Sequence, residues 1–224
     1  MKNKTLRNDA YENLKQCLQI DVIGNNKPFS WRRVAHRYKR NFKVRYIFWW
    51  RIASYLHFKG GYLNNALAKK INRKITLKYG TEIQLGAKIS PGITFGHHVG
   101  IVISRACVIG VNFHIRQNTT IGVKKGVRSK IKIGDNVEIG ANCCIIGDNI
   151  TIGNNVVIGA MAFINKNIPN DSTCFTNHFL KISKSGIKHT ADIDTKSEIL
   201  PGNNQAVYQA LAQSVHQQTG DQSC

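Results

Sequence analysis

"KIGDNVEIGANCCIIGDNITIGNNVVIGAMAFI", residues 132–164, sets an aliphatic residue at every sixth position. Ile133, Ile139 and Ile145 carry the beat, and after a one-residue slip Ile152, Ile158 and Ile164 resume it. Upstream, Ile83, Ile89, Phe95 and Ile101 keep the same spacing, and the phase then moves by two to Ile103, Ile109, Ile115 and Ile121. Four places after each beat stands a small, β-branched or apolar residue, among them Ala87, Val99, Cys107, Thr119, Val137, Cys143 and Ala162. A period of six suits neither an amphipathic helix nor a simple alternating strand. It fits a β-solenoid whose flat sides meet at tight corners, with the aliphatic residue pointing inward on each side. Gly, Asn and Asp follow the beat, and these residues accept the left-handed backbone that corners need. An ordinary sandwich is set aside, because its turns do not recur at a fixed six-residue spacing. Three hexads make one coil of roughly 18 residues, so residues 83–168 give nearly five coils, a prism about 23 Å tall at about 4.8 Å per stacked strand.

The rest of the chain bounds its class. Its 224 residues suffice for one good-sized domain with an appendage. No apolar run reaches transmembrane length, and the polar start MKNKTLRNDAYENLK argues against a secretory signal. The six cysteines contain no C-x-x-C pair and read as free thiols of a reducing cytoplasm. Cys107, Cys143 and Cys144 fall where small apolar residues belong and read as core. The net charge of +20 is uneven: residues 1–80 hold 19 Lys/Arg against 3 Asp/Glu. Such a surface favours anionic partners.

The N-terminal basic region, residues 1–78, contains "SWRRVAHRYKRNFKVRYIFWWRIASYLHFKGG", residues 30–61, which mixes nine Lys/Arg with nine aromatics. It reads as one or two helices, with another over 62–76, forming a cap over the open end of the solenoid. Peripheral membrane contact through residues 30–61 is a second expectation. No RNA-binding motif is visible, so nucleic acid is not an expected partner. After the solenoid, residues 79–170, comes a polar C-terminal extension, residues 171–224, with a short helix expected at 204–218.

Functional positions in a repeat concentrate where the repeat breaks. One break is the two-residue slip after "GHHVG", residues 96–100. The other is "VKKGVRSKIK", residues 123–132, where four cations and no Asn/Asp corner read as a protruding loop.

These features resemble the hexapeptide-repeat acyltransferases. "YGTEIQLGAKISPGITFGHHVGIVIS", "IRQNTTIG", residues 132–164 and the ending "IPNDST" are most similar to the serine acetyltransferase group, with its relatives in capsule and exopolysaccharide synthesis. The resemblance runs from Tyr79 to Lys181. It implies a left-handed parallel β-helix, acetyl-CoA as donor, and a homotrimer with active sites between subunits. Its motif x-H-x-x-G-I-V places His97 as general base, a task that suits imidazole. Fifteen residues earlier, Glu82 takes the place of the acidic residue that orients the base, where many relatives have Asp. His98 is expected to face the other way, with contact to the acceptor as its lesser role. Coenzyme A is expected along Gly122, Ala141 and Ala160, its phosphates near Lys124, Lys125, Lys166 and Lys181. The family's "GNPAK" segment reads "TNHFLK" here, so only Asn177 and Lys181 match it.

The family's second histidine, in the loop before the repeat restarts, is missing from "GVRSKIKIG". Arg128 in that loop and Arg116 in "IRQNTTIG" suit a carboxylate-bearing acceptor. The leading expectation is therefore O-acetylation of a sugar hydroxyl on an anionic surface polysaccharide or its precursor. Serine O-acetylation is the alternative within the fold, and a non-catalytic scaffold at the membrane the alternative from another class. The γ-class carbonic anhydrases of the same fold bind zinc through three histidines. Here His97, His98 and His114 lack that family's five-residue spacing, so no metal is expected.

Overall fold

The computed structural model describes residues 2–124 and 129–177. At its centre is a left-handed parallel β-helix of about four turns. The first face stacks Glu82–Ile83, Val102–Ile103, Thr120–Gly122, Cys144–Ile146 and Phe163–Ile164. The second stacks Lys88–Ile89, Cys107–Ile109, Ile131–Ile133 and Thr151–Ile152. The third stacks Thr94–Phe95, His114–Ile115, Glu138–Ile139, Val157–Ile158 and Thr173–Cys174, which carries the prism past residue 170.

The hexad beat becomes the inner ladder of each face. Ile83, Ile103, Ile121, Ile145 and Ile164 lie in register on the first. Ile89, Ile109, Ile133 and Ile152 do so on the second. The coils are unequal: those first-face pairings take 20, 18, 24 and 19 residues in turn. The even coil and the count of nearly five turns are thus corrected to about four turns, because insertions lengthen the coils. Residues 121–133 are the largest case. Their twelve-residue step joins the first face to the second, where Ile103 to Ile109 takes six.

Two assignments of the repeat change. Val99 is exposed, and Ile101 takes the buried place two residues before the beat at Ile103. Cys144 is not core: it points outward between Thr120 and Phe163, while Cys107 and Cys143 are buried as expected. Burial pushes the Cys107 thiol up to about 12, so it packs as a small hydrophobe and stays protonated.

The corners use the predicted chemistry. Asn112, Asn136, Asn155 and Asp171 hold left-handed φ values of 54–55°. Their side chains form a ladder, each Asn amide donating to the next oxygen at 2.7–3.0 Å. At the following corner Asn118 and Asn142 do the same at 3.1 Å, but the next coil places Met161 there, at φ 61°.

Helices close the N-terminal end. Helix α1 (Lys2–Leu18) runs into a π-helical turn, Gln19–Ile23, followed by α2 (Trp31–Arg40), α3 (Val44–Lys59) and α4 (Tyr62–Tyr79). The basic aromatic run is therefore two helices, and the next helix extends to Tyr79, where Gly80 ends it at φ 61°. An open first coil would leave unpaired edge groups, and α3 supplies their partners. Tyr46 Oη accepts from Ile83 N at 3.1 Å, and Trp50 Nε1 donates to Ile83 O at 3.0 Å. Arg51 donates to Ile89 O (2.6 Å), to Ser90 O (2.9 Å) and, through Nε, to Asp21 (2.7 Å). Asp21 in turn accepts from Gly92 N at 2.6 Å. Tyr46 and Trp50 are fully buried in this cap, whereas Trp31, Phe42, Trp49 and Phe58 of the same segment stay exposed. Among the described residues no helix is long and apolar enough to cross a membrane.

Candidate active site

Alignment of the coils places the first insertion on the histidines themselves. Phe95 pairs with Ile115, so Gly96 stacks on Arg116. Asn118 N donates to Val99 O at 3.0 Å, which stacks Val99 above Gln117. The two residues without a counterpart in the next coil are therefore His97 and His98. The slip, read from the beat as lying between Ile101 and Ile103, is thus a bulge at the corner between the third and first faces.

The bulge separates the two imidazoles. His97 is exposed and has no hydrogen-bond partner among the described residues. His98 turns into the cap. Its ring stacks on Tyr46 at 6.3 Å and meets Tyr79 edge-on at 5.7 Å. Buried Thr81 donates to His98 O at 2.6 Å, and its hydroxyl lies 3.3 Å from His98 Nδ1. Burial lowers the His98 pKa, and neighbouring His97 pushes in the same direction, against a hydrogen bond to the Tyr79 backbone. This geometry makes Tyr46, Tyr79 and Thr81 the partners of His98 within the chain.

Glu82 begins the first face beside this corner, its N–H bonded to Ile101 O at 2.8 Å. Its carboxylate accepts from Gln84 Nε2 at 3.2 Å and not from His97. It lines a groove that also takes in His57, Arg73 and Arg105. The acidic position is thus next to the histidine bulge, with its side chain held elsewhere in this single chain.

The coenzyme A positions fall on two columns. Ala141 and Ala160 occupy the same corner as the histidines, two and three coils further along. Asn142 N bonds Gln117 O, and Met161 N bonds Ala141 O, so Val99, Gln117, Ala141 and Ala160 form one stack below the bulge. Gly122 ends a first-face strand, with open space where a Cβ would stand. Lys124 and Lys166 are exposed near the opposite corner of that face. Lys125, Arg128 and Lys181 lie outside the described residues, as does the helix expected at 204–218. Arg116, expected to meet the acceptor, pairs with Glu138 at 3.2 Å on the third face, with both side chains about half exposed. His114 also points outward there, 2.8 Å from Thr94 Oγ1. Among the described residues no three His, Cys, Asp or Glu side chains converge as metal ligands.

Thr81 and Gln117 were missed from sequence. Gln117 Oε1 is buried without a partner among the described residues, directly beneath the bulge. Its position emerges only once the coils are aligned, whereas Thr81 stands six residues before Ala87, so the period carried one step back would have found it.

Comparison with known proteins follows the same line. No protein-family model matches the chain. It is 36% identical over 139 residues to the mitochondrial serine acetyltransferase 3 of Arabidopsis thaliana, covering 55% of this chain and 35% of that one. To the serine acetyltransferase of Staphylococcus aureus it is 38% identical over 124 residues, covering 54% and 56%. The chain thus spans about a third to a little over half of these relatives. Among solved structures, serine acetyltransferase isoform 3 of Entamoeba histolytica, in complex with cysteine, superposes with a TM-score of 0.64 at 28% identity, covering 82% of this chain and 66% of that one. The Neisseria gonorrhoeae serine acetyltransferase in complex with serine does so at 0.59 and 25% identity, covering 74% and 66%.

Proposed function

We propose that the chain is an acetyl-CoA-dependent O-acetyltransferase with His97 as its general base. The observation that carries this reading is the histidine bulge heading the corner stack that contains Ala141 and Ala160. An imidazole exposed at that point can take the acceptor hydroxyl proton as the oxygen attacks the thioester carbonyl. The same imidazolium returns the proton to the departing CoA thiolate. Backbone N–H groups suit the oxyanion of the tetrahedral intermediate, and no covalent enzyme intermediate is required. Lys124, Lys125, Lys166 and Lys181 serve the CoA phosphates. Glu82 orients the base after its carboxylate leaves Gln84. The exposed position of His97 on one protomer supports a homotrimer in which a neighbouring subunit completes the acceptor site.

Serine is the acceptor that the matched relatives favour, ahead of the surface glycan expected from the basic segment alone. The glycan reading keeps one observation of its own: residues 123–132 carry cations where the serine enzymes have a second histidine. The test is release of free CoA thiol from acetyl-CoA, with serine and with acidic polysaccharide as acceptors. Stimulation by serine supports the first reading, and stimulation by glycan alone supports the second. With either acceptor, His97→Ala lowers kcat by about 10²–10⁴-fold. Thiol release with neither acceptor would leave the scaffold reading in place.

A further inference from the structure

A second cleft lies on the other side of the first coil. Its volume is about 890 Å³, in the range of small-molecule sites. One wall is the polar side of α2 and the preceding loop: Lys27, Arg32, Arg33, His36, Arg37 and Arg40. The floor is the prism itself, at Gly92, Thr94 and Asn112. No carboxylate lines the cleft, and none of its five Lys and Arg forms an ion pair among the described residues. Asp21, in the turn before α2, is buried and already bound by Arg51 and Gly92. Arg37 and Arg33 each spend one donor on backbone carbonyls, of Val22 and Pro28, which fixes their positions and leaves other guanidinium donors over.

We propose that this cleft binds a phosphate-rich anion, of the diphosphate type, at a site separate from acetyl-CoA. Five cations without counter-charges repel one another, and a multiply charged anion relieves that repulsion. Guanidinium forks match phosphate oxygens in pairs. From Arg32 to Arg40 the stripe runs about 12 Å along the helix, at about 1.5 Å per residue, which suits a ligand carrying more than one anionic group. No Phe, Tyr or Trp lines the cleft, so it lacks the large ring platforms on which bases of single-stranded nucleic acid stack. The proposal is independent of which acceptor His97 serves.

Calorimetric titration of the full chain with inorganic pyrophosphate at low ionic strength tests it. Submillimolar binding is expected, weakening as salt is added. Arg32→Ala/Arg40→Ala is expected to bind at least tenfold more weakly, with unchanged Tm, assembly state and acetyl-CoA affinity. Lys69→Ala/Lys70→Ala, which removes the same charge from α4, is expected to bind as the unaltered protein does. Cosedimentation with vesicles of phosphatidic acid, against phosphatidylcholine alone, distinguishes the sources of the phosphate. Vesicle binding lost in the Arg32/Arg40 variant assigns a lipid headgroup, and pyrophosphate binding without vesicle binding assigns a soluble ligand. Absence of pyrophosphate binding, or equal losses in both double variants, overturns the proposal. So does a parallel loss of acetyl-CoA affinity, which would make the cleft part of the CoA site. Dissociation of the assembly by Arg32→Ala/Arg40→Ala would make the stripe a subunit contact instead.

Discussion

His97 and His98 differ because a two-residue bulge gives one imidazole to solvent and the other to Tyr46 and Tyr79. That difference has a consequence in acid. The folded chain holds the His98 pKa down, chiefly by burial, whereas an unfolded histidine titrates near about 6.5. The neutral imidazole therefore favours folding above that pH, and the contribution is lost as pH falls through and below it. The Tm of the unaltered protein should drop from pH 7.5 to 5.0 by more than that of His98→Gln. Parallel curves would remove His98 as the cause. Glu82→Gln probes the neighbouring position. If the carboxylate orients His97, kcat falls about tenfold or more with little change in Tm, and unchanged kcat would show that the carboxylate serves only its groove.

The cap and the corners carry the stability of their elements. Arg51 joins α3 to two carbonyls of the first coil and neutralises Asp21, whose side chain is fully buried. Arg51→Met leaves that carboxylate unpaired, and about 3–5 kcal/mol should be lost in a denaturant titration. At the corners, Asn118 and Asn142 occupy left-handed backbone that asparagine tolerates, while Met161 holds the same conformation at a cost of about 1–2 kcal/mol. Met161→Asn should therefore raise stability, by up to about 1 kcal/mol. Conversely, Asn136→Ala should lower it by about 1–2 kcal/mol, because it also breaks the amide ladder on both sides. Thermal or denaturant unfolding reads both, and equal midpoints for all three proteins would mean that corner strain is absorbed elsewhere.

At the largest scale, the described residues form a prism closed at one end by helices and functional, on the proposed reading, between prisms. Sedimentation velocity should give three protomers, or a multiple of three, and thiol release should decline on dilution to monomers. Activity that survives dissociation would place the complete site within one chain. The hexad beat made the solenoid, its inward residues and its Asn corners legible, because each coil repeats one local rule of side-chain size and backbone conformation. The neighbourhood of the histidines was legible because a broken period is itself a local signal, while the choice of His97 rested on the motif shared with the resembled acyltransferases. Other features depend on residues far apart in the chain that the coils and cap bring together. The true position of the insertion, the outward turn of Cys144 and the corner stack through Gln117 needed the coil-to-coil register. The burial of His98 needed α3 and α4, and the cationic cleft needed α2 laid beside the first coil. Periodicity specifies which way a residue faces within its own coil, but which groups meet across coils is set by insertions and by the helices packed against them.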